Sequence, residues 1–266
     1  MRSFTPIVAL LFALLSAFAG CGRAVDKTAG ATTAAAQWDA QRAVYNYDAA
    51  QPLNAAMLKS SETAVASLQY WTLTGALGHT VPFYLIEPVT ASAAQPVPVV
   101  VVIHGLDSNI DQMVPIGMLL ASRGYAAIIP EIVGHGPRND PAKPLFSGDP
   151  KRLRDGLVES VGDIRRSIDF LNTRPEIDKT RIGLAGFSLG AMLGSIVAGG
   201  DTRIVTAVLV VGGGDWKVIL NEAEQVFARE RRDAAPITDN DLKILADVDP
   251  VNFIGHVSPR PVLLIN

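Results

Sequence analysis

The stretch that most constrains the fold of this chain is Gly186-Phe187-Ser188-Leu189-Gly190. Before it, Arg181-Ile182-Gly183-Leu184-Ala185 has the character of a short buried strand. After it, Ala191-Met192-Leu193-Gly194-Ser195-Ile196-Val197-Ala198 is small and apolar, as expected of a buried helix. A serine at so abrupt a strand-to-helix turn takes a strained backbone, and glycines two positions to either side let strand and helix approach. The hydroxyl is then lifted out of the sheet with a helix N-terminus behind it, where developing negative charge is favoured. The competing reading is a chance G-x-S-x-G in a glycine-rich chain; the flanking strand and helix weigh against it.

The rest of the body alternates strand and helix. Val99 to Ile103 is an unbroken β-branched run, as in a strand buried on both faces, with Pro98 at its start. It ends in His104-Gly105-Leu106-Asp107-Ser108-Asn109. Gln69–Thr74 and Thr80–Ile86 are expected to form an antiparallel opening pair. Asp111–Ser122 is expected to be a helix stopped by Gly124, and Ala126–Pro130 and Ile204–Val211 are further strands. Arg154–Asn172 has the clearest helical period, through Leu157, Val161, Ile164, Ile168 and Leu171; its Asp163, Arg165, Arg166 and Asp169 are expected on a solvated face. This alternation predicts an α/β class: a mostly parallel sheet with helices on both faces. The proline-rich loop Glu131–Pro150 and the segment Trp216–Asp247 are expected to border a pocket. The second carries a charged helix through Glu222, Glu224, Arg229, Glu230, Arg231 and Arg232.

These motifs, with Gly78–Pro88, Arg123–Pro130, Pro175–Asp178 and Asp249–Phe253 running into Pro261–Asn266, resemble the α/β-hydrolase superfamily. Within it they resemble the dienelactone hydrolase, acetyl xylan esterase and prolyl-oligopeptidase-like branch. The resemblance implies Ser188 as nucleophile, and the backbone N–H groups of Leu106 and Leu189 as an oxyanion hole, with His104 a structural residue of its loop. It implies a carboxylic-ester hydrolase working through an acyl-enzyme on a small ester, with no cofactor. In that family the strand matched by Pro261–Ile265 is followed by a Gly-x-x-Asp loop, a helix, a last strand and a histidine loop. The sequence stops at Asn266, so the expectation is a hydrolase domain truncated at its C-terminus, its last strand and helix missing, and inactive by itself. Within the chain, His135 is a candidate base or simply a loop residue, and Asp215 a candidate acid or the N-cap of a helix beginning near Trp216. His79 lies in an early turn and His256 before the last strand. Two other functions remain open: an inactive lipoprotein with a binding role, and a serine peptidase of the prolyl-oligopeptidase-like branch.

The N-terminus suggests a destination. Arg2, the apolar run Ile7 to Leu15 and Ala19-Gly20-Cys21 describe a secretory signal ending in a sequence similar to a bacterial lipobox. Cys21 is the only cysteine, so a disulfide within the chain is impossible. The expectation is a signal peptide over 1–20, a flexible Ala/Thr/Gly-rich tether over 21–40, and the hydrolase domain over 41–266. Lipidation of Cys21 would hold it at the bacterial cell envelope; the alternative is cleavage nearby with Cys21 a bystander. The net charge of −3 gives no basis for nucleic-acid binding, and one cysteine with four scattered histidines gives none for a zinc site.

Overall fold

The computed structural model describes residues 31–222 and 237–266. The signal sequence, Cys21 and most of the charged helix expected after Glu222 lie outside them. The chain divides into two units, Met1–Ala43 and Val44–Asn266. Of the first, the described part is a helix, α1 (Ala31–Ala43), with an Arg42–Asp39 ion pair on its surface. Its start overlaps the stretch expected to be a flexible tether. The run of alanines there favours helix over coil.

The second unit is built on one eight-stranded sheet. Its strands are β1 (Ala56–Glu62), β2 (Ala66–Thr74), β3 (Thr80–Pro88), β4 (Val97–Ile103), β5 (Ala126–Pro130), β6 (Ile177–Phe187), β7 (Ile204–Val210) and β8 (Val262–Ile265). The spatial order is β1-β2-β3-β5-β4-β6-β7-β8. The first four of these pair antiparallel, and β5, β4, β6, β7 and β8 run parallel. The expected opening pair is present, and a leading strand, β1, adds to its edge. That strand was not legible because its seven residues, AMLKSSE, are all exposed and carry no period-two apolar pattern. The central strands β4 and β5 are almost wholly buried, as their continuous apolar runs require.

The helices are α2 (Ile110–Ala121), α3 (Pro150–Leu171), α4 (Leu189–Gly200), α5 (Trp216–Glu222), α6 (Asp239–Leu245) and α7 (Val251–Ile254). None of the described helices is long and apolar enough to cross a membrane. After β4 the chain moves to one side of the sheet to form β5, then returns to the other side to form β6. The strand order therefore reverses beside β4, and the C-terminal ends of β4 and β6 frame the crevice where open α/β sheets bind ligands.

Helix α3 begins four residues before the sequence suggested. Asp149 caps it, accepting from the Lys151 and Arg152 N–H groups at 2.9 and 3.3 Å, and Pro150 occupies the first turn. Its charged face is not solvated. Arg166 is fully buried and donates to the carbonyls of Gln51 (2.7 Å) and Thr74 (3.3 Å). Asp163, also buried, accepts from Ala76 N–H at 2.8 Å and pairs with Arg138 at 2.6 Å. Burial outweighs those two partners and raises the Asp163 pKa above the usual carboxylate value. Asp169 pairs with Arg203 at 2.6 Å and accepts from the Tyr47 hydroxyl at 2.8 Å. Arg165 reaches Asp201 at 3.2 Å and the Tyr45 carbonyl at 2.8 Å. The charges are recognisable in sequence, but the groups opposite them come from segments about 25 to 120 residues away, which no helical period reveals.

Arg166→Ala would take the donor from those half-buried carbonyls and leave the space of a fully buried side chain, and is expected to cost about 3–5 kcal/mol, read from the midpoint of urea unfolding at unchanged slope. A second expectation concerns the far end of the sheet. Glu87, at the end of β3, accepts from Gln69 at 2.9 Å and lies 3.7 Å from Arg174, which also pairs with Glu176. Burial, reinforced by the neighbouring Glu176, pushes the Glu87 pKa up to about 7 against the pull of Arg174. A carboxyl raised above its unfolded value of 4.5 adds stability that is complete below that pH and lost as pH rises through about 7. Glu87→Gln should therefore flatten the stability–pH curve between those values and stabilise the protein at pH 8 by about 1–2 kcal/mol in calorimetry.

Candidate active site

Ser188 is the single residue between β6 and α4. Its φ of 52° and ψ of −117° lie where side-chain-bearing residues are strained. The turn is pinned by Ser188 N–H donating to the Val210 carbonyl at 2.8 Å and by Ala191 and Met192 donating back to the Ser188 carbonyl. The flanking glycines have separate reasons. A Cβ on Gly186 would stand 2.3 Å from the Gly190 carbonyl oxygen, so strand and helix would part. A Cβ on Gly190 would stand 2.3 and 2.5 Å from the carbonyl oxygens of Ile103 and His104 at the end of β4. Gly190 is thus what brings the serine turn against the β4 loop. Ser188 is exposed, and Leu189, at the first helical position, has an N–H with no intrahelical acceptor.

On the other side of the crevice, Gly105 lies so close that a Cβ there would sit 3.2 Å from Ser188 Cβ. Leu106 follows it, half-buried, and Asp107 turns the chain with φ 58°. The structure therefore sets the start of the His-Gly loop, at Gly105, directly against the serine turn.

His104 is fully buried. Its Nδ1 is 2.9 Å from the Gly105 carbonyl, and its Nε2 is 2.6 Å from Glu131 Oε1, also fully buried. Both nitrogens are engaged, so His104 has none to offer Ser188. Glu131, just after the C-terminal end of β5, carries no motif in the sequence, where it marks only the start of a loop. The available signal was a carboxylate immediately after a buried parallel strand.

His135 packs edge-on against His104, ring centroids 5.0 Å apart. Its Nδ1 donates to the Val133 carbonyl at 2.9 Å, which leaves Nε2 as the lone-pair nitrogen. Burial lowers its pKa below the usual imidazole value. Asp215 is exposed, with φ 63°, and its carboxylate accepts from the Lys217 and Val218 N–H groups at 3.1 and 3.3 Å. Its own N–H donates to Asp249, which also holds the Trp216 N–H at 3.0 Å. Asp215 is thus the N-cap of α5, and the structure does not bring it to His135. His79 pairs with Glu159 at 2.8 Å on the surface, and His256 lies in a short turn before β8. Among the described residues, no group of three or more His, Cys, Asp or Glu side chains is placed to hold a metal ion.

Several known proteins are similar to this chain. The Bacillus subtilis (strain 168) protein YitV, provisionally named an esterase, is 33% identical over 105 residues, which are 38% of this chain. The match spans about 40% of that relative's length. The acetyl xylan esterase from Paenibacillus sp. R4 superposes with a TM-score of 0.67 at 20% identity, covering 92% of this chain and 90% of its own. Acetyl xylan esterase 1 from Thermoanaerobacterium sp. JW/SL YS485 gives 0.64 at 17% identity, covering 87% and 77%. At these identities the two structures establish the α/β-hydrolase fold. Residues 82–240, more than half of the sequence, match the dienelactone hydrolase family from near the start of β3 to α6, across the serine turn and the His-Gly loop, and the chain belongs to that family.

Proposed function

We propose that the protein is a serine hydrolase of carboxylic esters, with Ser188 as its nucleophile. The observation that carries this reading is the strained, exposed backbone of Ser188 between two glycines that have no room for a side chain. A strained residue persists when its surroundings over-determine it, and such residues gather where the strain serves chemistry. Ser188 Oγ attacks the ester carbonyl. The oxyanion of the tetrahedral intermediate accepts from the N–H groups of Leu106 and Leu189, the alcohol departs, and water releases the acid from the acyl-enzyme. The names of YitV and of the structural neighbours agree with an ester substrate.

His135 is the base this reading puts to the test: with Nδ1 donating to the Val133 carbonyl, its Nε2 carries the lone pair, and burial lowers its pKa. A second reading, a binding protein without turnover, is favoured by one observation. The two His–carboxylate pairs, His79–Glu159 and His104–Glu131, are not the base of Ser188: the first is a surface pair and the second has no free nitrogen. Hydrolysis of p-nitrophenyl acetate separates the readings. Ser188→Ala should lower turnover by about 10³-fold or more, and His135→Ala should do so too if it is the base. Turnover surviving in Ser188→Ala would remove the assignment, and a wild type that binds but does not hydrolyse esters would establish the second reading.

Cys21 is proposed as the site of lipid attachment, which would place the protein at the bacterial cell envelope. Two or three acyl chains hold a protein stably where one is marginal. Wild type expressed in a bacterial host with labelled palmitate should carry the label and Cys21→Ala should not; equal labelling would disprove the attachment.

A further inference from the structure

We propose that Glu131 is a positioning residue for the oxyanion hole, acting through His104 on the peptide that joins Gly105 to Leu106. The inference rests on the ester-hydrolase reading for its catalytic meaning, and on geometry for the coupling itself.

The Gly105 carbonyl and the Leu106 N–H belong to one peptide unit. A trans peptide is planar, and its C=O and N–H point in opposite directions. Whatever holds the Gly105 oxygen therefore aims the Leu106 N–H. That oxygen lies 2.9 Å from His104 Nδ1, and a carbonyl can only accept, so Nδ1 must carry a proton. With the carbonyl turned towards the buried ring, the N–H is turned away from it. Gly105 has Ser188 as its near neighbour.

An imidazole does not hold its proton on Nδ1 without a reason. Two groups meet the opposite nitrogen: the Ile132 N–H points at Nε2 from 3.4 Å, a long contact, and Glu131 Oε1 stands 2.6 Å from it. At that separation the pair is satisfied by one proton shared between Nε2 and Oε1, and with the proton on either atom Nδ1 keeps its own. Both side chains are fully buried, so water does not substitute for either. Glu131 is itself held. Its N–H donates to the Pro82 carbonyl at 2.9 Å, and its carbonyl accepts from Arg138 at 2.8 Å. Gly136 must lack a side chain for the carboxylate to fit, since a Cβ there would stand 2.1 Å from Oε2. Edge-on packing of His135 fixes the ring from the remaining side.

The substitution that separates positioning from bulk structure is Glu131→Gln against Glu131→Leu. A glutamine amide donates to Nε2 and keeps the proton on Nδ1. A leucine fills similar space and leaves only the Ile132 N–H, at a long 3.4 Å, against a proton on Nε2, so that the ring can take the tautomer whose bare Nδ1 faces the Gly105 oxygen. Three signals are read on the full chain: the ¹⁵N resonance of His104 Nδ1, the Leu106 amide cross-peak, and kcat and KM for p-nitrophenyl acetate. Wild type should show a protonated, slowly exchanging Nδ1. Glu131→Gln should keep both NMR signals and stay within about threefold in kcat. Glu131→Leu should lose the Nδ1 proton, move the Leu106 amide, and lower kcat about 10- to 100-fold with KM within about twofold, less than the loss of a whole oxyanion donor.

A bare Nδ1 in wild type overturns the proposal, as does Glu131→Leu with both NMR signals and kcat unchanged. Should Glu131→Leu fail to fold, loss of the Nδ1 proton in Glu131→Gln overturns it and retention supports it. Should wild type hydrolyse no ester, the functional reading fails, and the two NMR signals alone decide whether Glu131 orients the peptide.

Discussion

A serine held at φ 52° is the constraint from which the architecture around the crevice follows. Such a conformation costs on the order of 1–3 kcal/mol, so the turn survives only where neighbours leave no alternative. The neighbours here are backbone. Ser188 N–H is tied to the β7 carbonyl of Val210, and α4 presses so closely on β6 and β4 that neither Gly186 nor Gly190 has space for one carbon. Parallel strands at the centre of a sheet can be brought this near to a helix only if the contact residues lack side chains. The glycines thus serve packing first, and the exposure of the serine hydroxyl is the result.

The two loops that meet at Ser188 are stabilised in different ways. The serine turn is over-determined by main-chain hydrogen bonds and close packing. The His104–Leu106 loop is governed by buried polar chemistry: an imidazole with both nitrogens occupied and a carboxylate with no water to turn to. In a low-dielectric interior such a pair is costly if broken and permits few arrangements if satisfied. That restriction on arrangement is what a donor aimed at a transient oxyanion requires, because preorganised dipoles stabilise a transition state without reorganising at the moment of reaction.

The parts of this design that were legible in sequence are those written in local patterns. The β-branched run of β4, the strand–serine–helix turn and the apolar stripe of α3 each announce themselves within about twenty residues, and from them the parallel centre of the sheet follows. Asp215 was readable as an N-cap because capping is a local relation, and its carboxylate does hold the first turn of α5. What stayed hidden depends on residues distant in the chain. Strand β1 has no apolar face to reveal it. Glu131 is unremarkable until β5 is laid beside β4 and its carboxylate meets His104. Helix propensity in the alanine-rich stretch from Ala31 onward is masked by a composition that also suits a tether.

The largest misreading, the charged face of α3, bears on the site itself. Arg138 stands between the two regions: one guanidinium nitrogen donates to the Glu131 carbonyl at 2.8 Å, while the other meets Asp163 at 2.6 Å and Glu159 at 2.9 Å. Asp163 is in turn bound by the Ala76 N–H of the β2–β3 turn. A path of buried polar contacts therefore runs from a helix on one face of the sheet to the residue behind the His-Gly loop. Its members are individually ordinary ion pairs, and a buried pair adds little stability compared with an apolar packing of the same volume. Their value here lies in direction. Apolar side chains would fill the same space while leaving the loop after β5 free to slide, whereas a guanidinium with two carboxylates on one side and one carbonyl on the other fixes both the distance and the orientation of what it joins. The charges of α3 thus extend the positioning of Glu131 back into the body of the fold.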